Sequence, residues 1–150
     1  MPFDAETITG FTPTDEDRHS LAEWFRQYDA HSTSADIQHM ADMAVFPLNL
    51  VTDDSAGNGW SGQWDQGQFT TTMTQVMGDG GEDVQFESVR TPFFLSGSLA
   101  IVITRATMTM DGGTQEMRYA DILVKSDGKW AFQTMIQAGW GDMLKGELQH

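Results

Sequence analysis

Cysteine is absent from all 150 residues. A disulfide framework, a catalytic thiolate and a cysteine-ligated metal site are therefore excluded. Basic residues are scarce, because eight Lys and Arg stand against 22 Asp and Glu, which gives a formal net charge of −14. Such a charge repels nucleic acid and anionic membranes, so neither is an expected partner.

Long apolar runs are also missing, and none approaches the roughly 20 residues that a membrane-spanning helix needs. The opening residues, MPFDAETITGF, lack the basic and then apolar order of a secretory signal. A cytoplasmic location is the default expectation. The length suits one domain, and the hydrophobic fraction of 39% predicts a folded globular chain.

The N-terminal region predicts an irregular segment followed by an amphipathic helix. Residues 1–13 read as an irregular lead-in that ends at Pro13. Thr14, with Asp17 three positions later, predicts an N-cap and a capping box. The helix that follows has one apolar stripe with i, i+3, i+4 and i+7 spacing, formed by Leu21, Trp24, Phe25 and Tyr28.

Further helices and then strands are predicted along the rest of the chain. A second short helix is expected over about 34–44, and a third begins after Asp65, where Gln68 repeats the capping pattern. VFPLNLVT reads as a strand whose proline confines it to a sheet edge or a strand start. From residue 83 onward the pattern is that of four strands, with hairpin turns at MDGGT and SDGK.

This order of elements predicts an α+β domain. We expect a curved antiparallel sheet with about three helices packed on its concave face. A single domain would occupy residues 14–140, and residues 141–150 would form a C-terminal tail.

Asp121 is the unusual residue, because it lies in the middle of an otherwise apolar strand, MRYADILVKS. If SDGK closes a two-residue hairpin, Asp121 faces Thr134. A two-residue turn at 112–113 places Thr104 beside Asp121 as well. A three-residue turn there would instead bring Arg105 to the carboxyl, and the two-residue register is preferred.

The face of the sheet that carries Asp121 is predicted to be apolar with a small polar centre. Its members are Val102, Thr104, Ala106, Met108, Tyr119, Asp121, Leu123, Phe132, Thr134, Ile136 and Trp140. A carboxylate placed there must be paired, hydrogen-bonded or protonated. Thr104, Thr134 and Tyr28 are the expected donors. Such a carboxyl can serve as a catalytic acid or base, or it can organise a purely structural hydrogen-bond cluster.

The sequence of elements resembles the nuclear transport factor 2-like fold, a cone-shaped sheet with a pocket inside, from about Leu21 to Trp140. The closing DGKWAF hairpin is similar to that of SnoaL-like polyketide cyclases and ketosteroid isomerases, and EWFRQYDAH resembles the pocket helix of scytalone dehydratase. By that resemblance Tyr28 and Asp29 match pocket residues, and Asp121 matches a pocket amide. The C-terminal WGDM resembles a segment over the pocket mouth.

The resemblance implies a cofactor-free isomerase, cyclase or dehydratase that acts by acid–base catalysis on a compact hydrophobic carbonyl or polyketide-like substrate. Asp121 would be the acid or base, Tyr28 would donate to a developing enolate oxygen, and Asp29 or Asn49 would orient the substrate. The expected substrate-binding residues are Trp24, Asn49, Trp60, Trp64, Thr104, Met108, Tyr119, Thr134, Ile136 and Trp140.

Several catalytic residues of the related enzymes are missing, however. The dehydratase uses two pocket histidines, and the matching positions hold Thr104 and either Gln85 or Phe86 here. The isomerases use a carboxylate on the first strand, where Asn49 is the only polar residue of FPLNL. The epoxide hydrolases of this fold use an arginine and two aspartates, and Arg105 is predicted to lie on the opposite face. A non-catalytic ligand-binding or dimeric assembly module therefore stays open as the alternative.

No metal site is expected, because His31 and His39 are eight residues apart and no carboxylate pattern surrounds them. The outer face of the sheet is predicted to be too apolar for open water, which predicts a homodimer through that face. Its members are Ala120, Ile122, Val124, Ala131 and Met135.

Overall fold

The computed structural model describes residues 5–77, 85–110 and 112–144. Three helices, two strands and a further helix form the first half of the chain, and strands fill most of the second. In chain order the elements are α1 (Ala5–Thr9), α2 (Asp15–Thr33), α3 (Ile37–Ala41), β1 (Ala44–Asp53), β2 (Gly59–Trp64), α4 (Gln66–Met77), β3 (Gln85–Ser96), β4 (Leu99–Met110), β5 (Gly113–Ser126), β6 (Lys129–Gln137) and α5 (Gly141–Leu144).

The strands form one six-stranded sheet in the order β2-β1-β6-β5-β4-β3. Every neighbouring pair is antiparallel except β1 and β6, which are parallel. The predicted α+β class is confirmed, whereas the expectation of a wholly antiparallel sheet is wrong at this one pair. Pro47 lies in β1, which is an inner strand, at a register shift between Ala44 and Asn49.

The predicted capping box at the start of α2 is confirmed. Thr14 Oγ1 accepts from the Asp17 N–H at 3.0 Å, and Asp17 Oδ2 accepts from the Thr14 N–H at 3.0 Å. The lead-in is less irregular than predicted, because α1 lies within it. Arg18 of α2 forms an ion pair with Glu6 of α1 and so joins the two helices.

Helices α3 and α4 also begin at local caps. Asp65 and Gln68 bond reciprocally at the start of α4, as predicted, at 2.8 and 2.9 Å. The second predicted helix, α3, is shorter than expected, because Ala35 adopts a φ of +54° and Asp36 becomes its N-cap. Residues 145–150 of the predicted tail lie outside the described residues.

The β5–β6 turn has the predicted geometry, with Asp127 and Gly128 at φ of +52° and +77° and Ser126 opposite Lys129. The β4–β5 turn lies one residue earlier than predicted, because Met110 pairs with Gly113. Cross-strand partners therefore shift by two positions. A shift of two keeps every side chain on its predicted face, so the outward position of Arg105 is confirmed.

A bulge in β6 changes the predicted register. Leu123 pairs with Phe132 as predicted, but Ile122 pairs with Thr134, which leaves Gln133 without a partner across the strands. Beyond this extra residue the faces exchange, because side chains alternate along a strand. Asp121 therefore lies opposite Met135.

Two predicted pocket residues move to the other face as a result. Thr134 and Ile136 pair with Asn49 and Val51 of β1, on the side of the sheet away from Asp121. Met135, predicted to lie on the outer face, pairs with Leu50 and is only 8% exposed. The predictions for Thr134, Ile136 and Met135 are thus corrected by the bulge.

The core lies between the helices and the inner face of the sheet. Its largest members, each almost fully buried, are Trp64, Phe69, Phe132, Met40, Leu48, Leu50 and Leu123. Leu21 and Phe25 of the predicted α2 stripe are buried there too. Within the described ranges, no helix combines the length and apolarity that crossing a membrane requires.

Candidate functional site

Asp121 lies on the inner face of β5 and is only 4% exposed. Val102 and Met135 flank it on the neighbouring strands. No described residue donates a hydrogen bond to its carboxyl, so the expected bonds from Thr104, Thr134 and Tyr28 are not formed. Burial raises the pKa of Asp121 to about 7, against the opposing pull of the Arg90 charge. Near neutral pH this carboxyl can therefore both accept and donate a proton.

Arg90 supplies the positive charge of the site from β3. Its side chain is 15% exposed and lies over the Phe25 ring, with 4.2 Å from the guanidinium carbon to the ring centroid. Its two terminal nitrogens donate to the carboxylate of Asp29 at 2.6 and 2.8 Å. This bidentate pair joins α2 to the sheet and fixes the guanidinium beside Asp121.

Two buried polar atoms of the site have no partner among the described residues. Thr104 Oγ1 and Arg90 Nε are both buried and without a hydrogen bond there, and the two residues lie opposite each other on β4 and β3. Buried polar groups are nearly always bonded to protein or to ordered water. Together with the unbonded carboxyl of Asp121, these two atoms leave hydrogen-bonding capacity that a polar ligand can use.

Two tyrosines complete the cluster. Tyr119 lies opposite Thr104 on β5, and Tyr28 projects from α2, with its ring centroid 4.8 Å from that of Phe132. Burial first, and the Asp121 charge next, raise the pKa of Tyr28 above its ordinary value. Burial also raises the pKa of Tyr119. Both phenols therefore stay neutral and remain hydrogen-bond donors at physiological pH.

The apolar walls of the site come from α2 and the sheet. The Trp24 ring packs edge-on against Phe132 at 4.8 Å and stacks on Tyr28 at 6.0 Å. Trp24 and Tyr28 are only partly buried and lie at the margin of the core. The predicted position of Met108 on this face is retained, since the β4–β5 shift preserves it.

Three tryptophans that were predicted to bind substrate make other contacts instead. Trp64 is 2% exposed and belongs to the core. Trp60 donates its ring N–H to Asp54 Oδ2 at 2.6 Å, and the Trp140 N–H donates to Thr52 Oγ1 at 2.9 Å. Both of the latter therefore hold the end of the β1–β2 hairpin.

Asn49 and Thr134 lie on the outer face of the sheet, in a row of polar side chains. Gln63 donates to Asn49 Oδ1 at 3.1 Å, Asn49 donates to Thr134 Oγ1 at 3.4 Å, and Thr134 donates to Gln133 Oε1 at 2.6 Å. A shallow groove of about 550 Å³ runs over these strands. Asn49 thus does not share a face with Asp121.

Comparison with known proteins finds similarity in three-dimensional structure. No protein-family model matches the sequence, and no curated protein matches it either. An NTF2-like protein of unknown function from Pseudomonas putida KT2440 superposes with a TM-score of 0.69 at 12% identity, over 83% of this chain and 87% of that one. Aln2 from a Streptomyces species gives 0.66 at 12% identity, over 91% and 99%.

The chain has the nuclear transport factor 2-like fold. A candidate scytalone dehydratase from Novosphingobium aromaticivorans DSM 12444 shares this fold, with a TM-score of 0.56 at 16% identity over 80% of this chain and 81% of that one. The predicted resemblance is therefore confirmed at the level of the nuclear transport factor 2-like fold, and identities this low carry no activity across.

Arg90 is the site residue that sequence reasoning missed. Counted back from the Ser96–Leu99 pair of the β3–β4 turn, Arg90 would lie opposite Arg105 on the outer face. A bulge between Phe94 and Ser96 shifts the register, so Arg90 pairs with Thr104 and enters the inner face. The sequence VRTPFFL holds no signal for that extra residue.

Proposed function

We propose that this chain is a small-molecule enzyme of the isomerase, cyclase or dehydratase kind, acting by acid–base catalysis without a cofactor. One observation carries the proposal: a buried, unbonded carboxyl with a pKa of about 7 lies among neutral tyrosines. General acids and bases work best when their pKa lies near the working pH.

The chemistry follows from the donors and acceptors of the site. Ionised Asp121 removes a proton from the carbon next to a substrate carbonyl, and the C–H electrons form an enolate. Tyr28 or Tyr119 donates a hydrogen bond to the enolate oxygen as its charge develops. Protonated Asp121 then returns the proton to another carbon, which completes an isomerisation, or to a leaving hydroxyl, which departs as water.

The surroundings select a compact and mostly apolar substrate. Val102 and Met135, which flank Asp121 on the neighbouring strands, present only hydrocarbon and thioether surface beside it. Thr104 Oγ1 and Arg90 Nε can each form a hydrogen bond to one further oxygen of the substrate. We therefore expect a small ring with one carbonyl and one additional oxygen.

Deuterium exchange tests this proposal without knowledge of the natural substrate. A panel of cyclic ketones and β-keto compounds is incubated with the protein in D2O, and deuterium uptake at the α-carbon is followed by NMR. The wild-type chain should accelerate exchange for at least one compound, and Asp121→Asn should lower the rate by orders of magnitude. Asp127→Asn, in the exposed β5–β6 turn, removes one negative charge and should leave the rate unchanged. Equal exchange by wild type and Asp121→Asn removes Asp121 from the mechanism.

Epoxide hydrolysis is a second candidate, favoured by the cluster of Arg90 with two aspartates. Epoxide hydrolases of this fold use an arginine and two aspartates. Arg90 provides the arginine. Asp29 forms an ion pair with it, and its positive charge acts electrostatically on Asp121. Asp121 would protonate the ring oxygen as the C–O bond breaks, and water, giving its proton to Asp29, would add to the carbon to form a diol.

The same panel, extended with epoxides, can separate the candidates. Epoxides converted to diols in the presence of the wild-type chain, with no exchange of ketone protons, favour the hydrolase. Ligands that bind, as judged by shifted tyrosine signals, but are not converted favour the non-catalytic ligand-binding module. Arg90→Lys keeps the charge but loses the bidentate geometry. It should therefore lower diol formation far more than ketone exchange.

We further propose a homodimer through the outer face of the sheet. Val51, Ile136, Ala120 and Ile103 form one apolar row across four strands, and Ile103 is 47% exposed. Light scattering should give twice the chain mass, and Ile103→Lys should give the monomer mass. Ile8→Lys, at an exposed position on α1, is the control. A wild-type chain that is monomeric at high concentration overturns the proposal.

A further inference from the structure

The corner between α2 and α3 brings two histidines and a carboxylate together. His31 lies in the last turn of α2, and His39 lies in α3. The left-handed turn at Ala35, with a φ of +54°, reverses the chain between them. The Asp36 N–H donates to the His31 carbonyl oxygen at 2.9 Å and so closes this corner.

The three side chains converge on one point. The rings of His31 and His39 are stacked, with centroids 4.9 Å apart and planes 12° from parallel. Asp36 Oδ2 lies 2.6 Å from His39 Nδ1. One ligand atom from each residue lies within 4.8 Å of both others. The histidines are eight positions apart in sequence, and the carboxylate between them becomes a partner only through the turn.

We propose that His31, Asp36 and His39 bind one divalent transition-metal ion of the zinc class. Each histidine gives a ring nitrogen, Asp36 gives one carboxylate oxygen, and water completes the shell. Two imidazoles and a carboxylate form a donor set that zinc accepts readily, whereas magnesium and calcium prefer oxygen alone.

The geometry needs only a small adjustment to hold such an ion. Metal–ligand distances of roughly 2.0–2.1 Å in a tetrahedron place the ligand atoms about 3.3 Å apart. The present atoms lie within 4.8 Å of one another, so side-chain rotations that move them by about an ångström are enough. The side chains of His39 and Asp36 are 60% and 37% exposed, which leaves them free to rotate.

Binding would have a structural consequence. The ion would tie the C-terminal turn of α2 to α3, and α2 carries Tyr28 and Asp29 of the candidate site one turn earlier. The net charge of −14 raises the local concentration of all cations, so a specific site must distinguish zinc from magnesium.

Titration of the untagged, chelator-treated chain with zinc chloride tests the proposal. Calorimetry should give one ion per chain, and imidazole NMR signals of His31 and His39 should shift together. His31→Gln and His39→Gln should each weaken binding at least tenfold. His19→Gln, an exposed histidine earlier on α2, is the matched control and should bind as the wild type does. Magnesium chloride should leave the imidazole signals in place.

Asp36→Asn separates coordination from folding, because Asn caps a helix as well as Asp does but lacks the carboxylate charge. It should keep the wild-type helical circular dichroism and bind zinc at least tenfold more weakly. If any variant fails to fold, the imidazole shifts of the wild-type chain still decide the question. Zinc binding that leaves the signals of His31 and His39 unmoved, or that His31→Gln and His39→Gln leave unchanged, overturns the proposal.

Discussion

Replacing Asp121 by Asn should stabilise the protein more at high pH than at low pH. The carboxyl has an ordinary pKa of 3.8 and a pKa of about 7 in the folded chain. Between these values the folded chain keeps a proton that the unfolded chain has lost. The free energy of unfolding therefore falls as the pH rises through this window, and it levels off above about pH 7, where both states are ionised.

The size of the effect follows from the same two values. At about 1.36 kcal/mol for each pH unit, the difference between 3.8 and about 7 amounts to about 4 kcal/mol of lost stability. Since the isoelectric point is about 4.3, the measurable window starts at about pH 5.5. From there to above about pH 7 the change is about 2 kcal/mol. The asparagine of the variant would not titrate, so the variant should gain that amount relative to wild type.

Urea unfolding at several pH values between about 5.5 and 8.5 measures the difference, provided that the urea dependence of the two chains is equal. Other carboxyl groups contribute equally to both proteins and cancel. Asp127→Asn controls for removing one negative charge from an acidic chain. A gap between wild type and Asp121→Asn that stays constant across this pH range would refute the reasoning, because it would mean that the carboxyl is solvated or paired in the folded state.

Three further predictions concern other residues of α2 and the site. Arg90→Gln removes the charge that opposes the raised pKa of Asp121, so the pH midpoint in the urea series should move upward; an unmoved midpoint contradicts this. Thr104→Val replaces a buried hydroxyl that has no described partner by a methyl and should change thermal stability by less than about 1 kcal/mol; a loss of several would reveal a hidden partner. Thr14→Ala removes the α2 cap and should cost about 1 kcal/mol in urea unfolding, while Thr14→Ser should cost little.

Local signals predicted the local structure well. The capping boxes at Thr14 and Asp65 and the Asp127–Gly128 turn depend on residues within four positions of one another, and all three are confirmed. Turn residues specify their own backbone geometry. The order of helices and strands, which also rests on local patterns, was enough to predict the α+β class.

Register was the part that the sequence could not specify. Bulges at Gln133 and between Phe94 and Ser96 each insert one residue, and each reverses the inward and outward positions beyond it. Asp121 was predicted correctly because its own strand, β5, contains no extra residue between the turn and position 121. Thr134, Ile136 and Met135 were misplaced because they lie beyond a bulge, and Arg90, for which no position was predicted, enters the inner face for the same reason.

The cluster of His31, Asp36 and His39 at the α2–α3 corner was missed by the sequence prediction for a different reason. The left-handed backbone conformation of Ala35 cannot be predicted from its residue type, since alanine rarely adopts that conformation. Only the turned chain makes Asp36 a neighbour of both histidines. Spacing rules for metal ligands therefore find regular helical pairs and overlook this arrangement.

The unpaired residue of β6 has one more consequence. Because Gln133 is the extra residue of the bulge, the alternation of inward and outward side chains is interrupted there. Phe132 before it and Met135 after it both point inward, although they are an odd number of residues apart. Regular pairing of the same sequence without the bulge would place Thr134 opposite Asp121 and turn Met135 to the outer face, whereas deleting Gln133 would remove the bulge and keep Phe132 and Met135 facing inward. The hydrophobic lining of the interior and the composition of the outer surface are thus governed together by one backbone position, and neither can be changed there without the other.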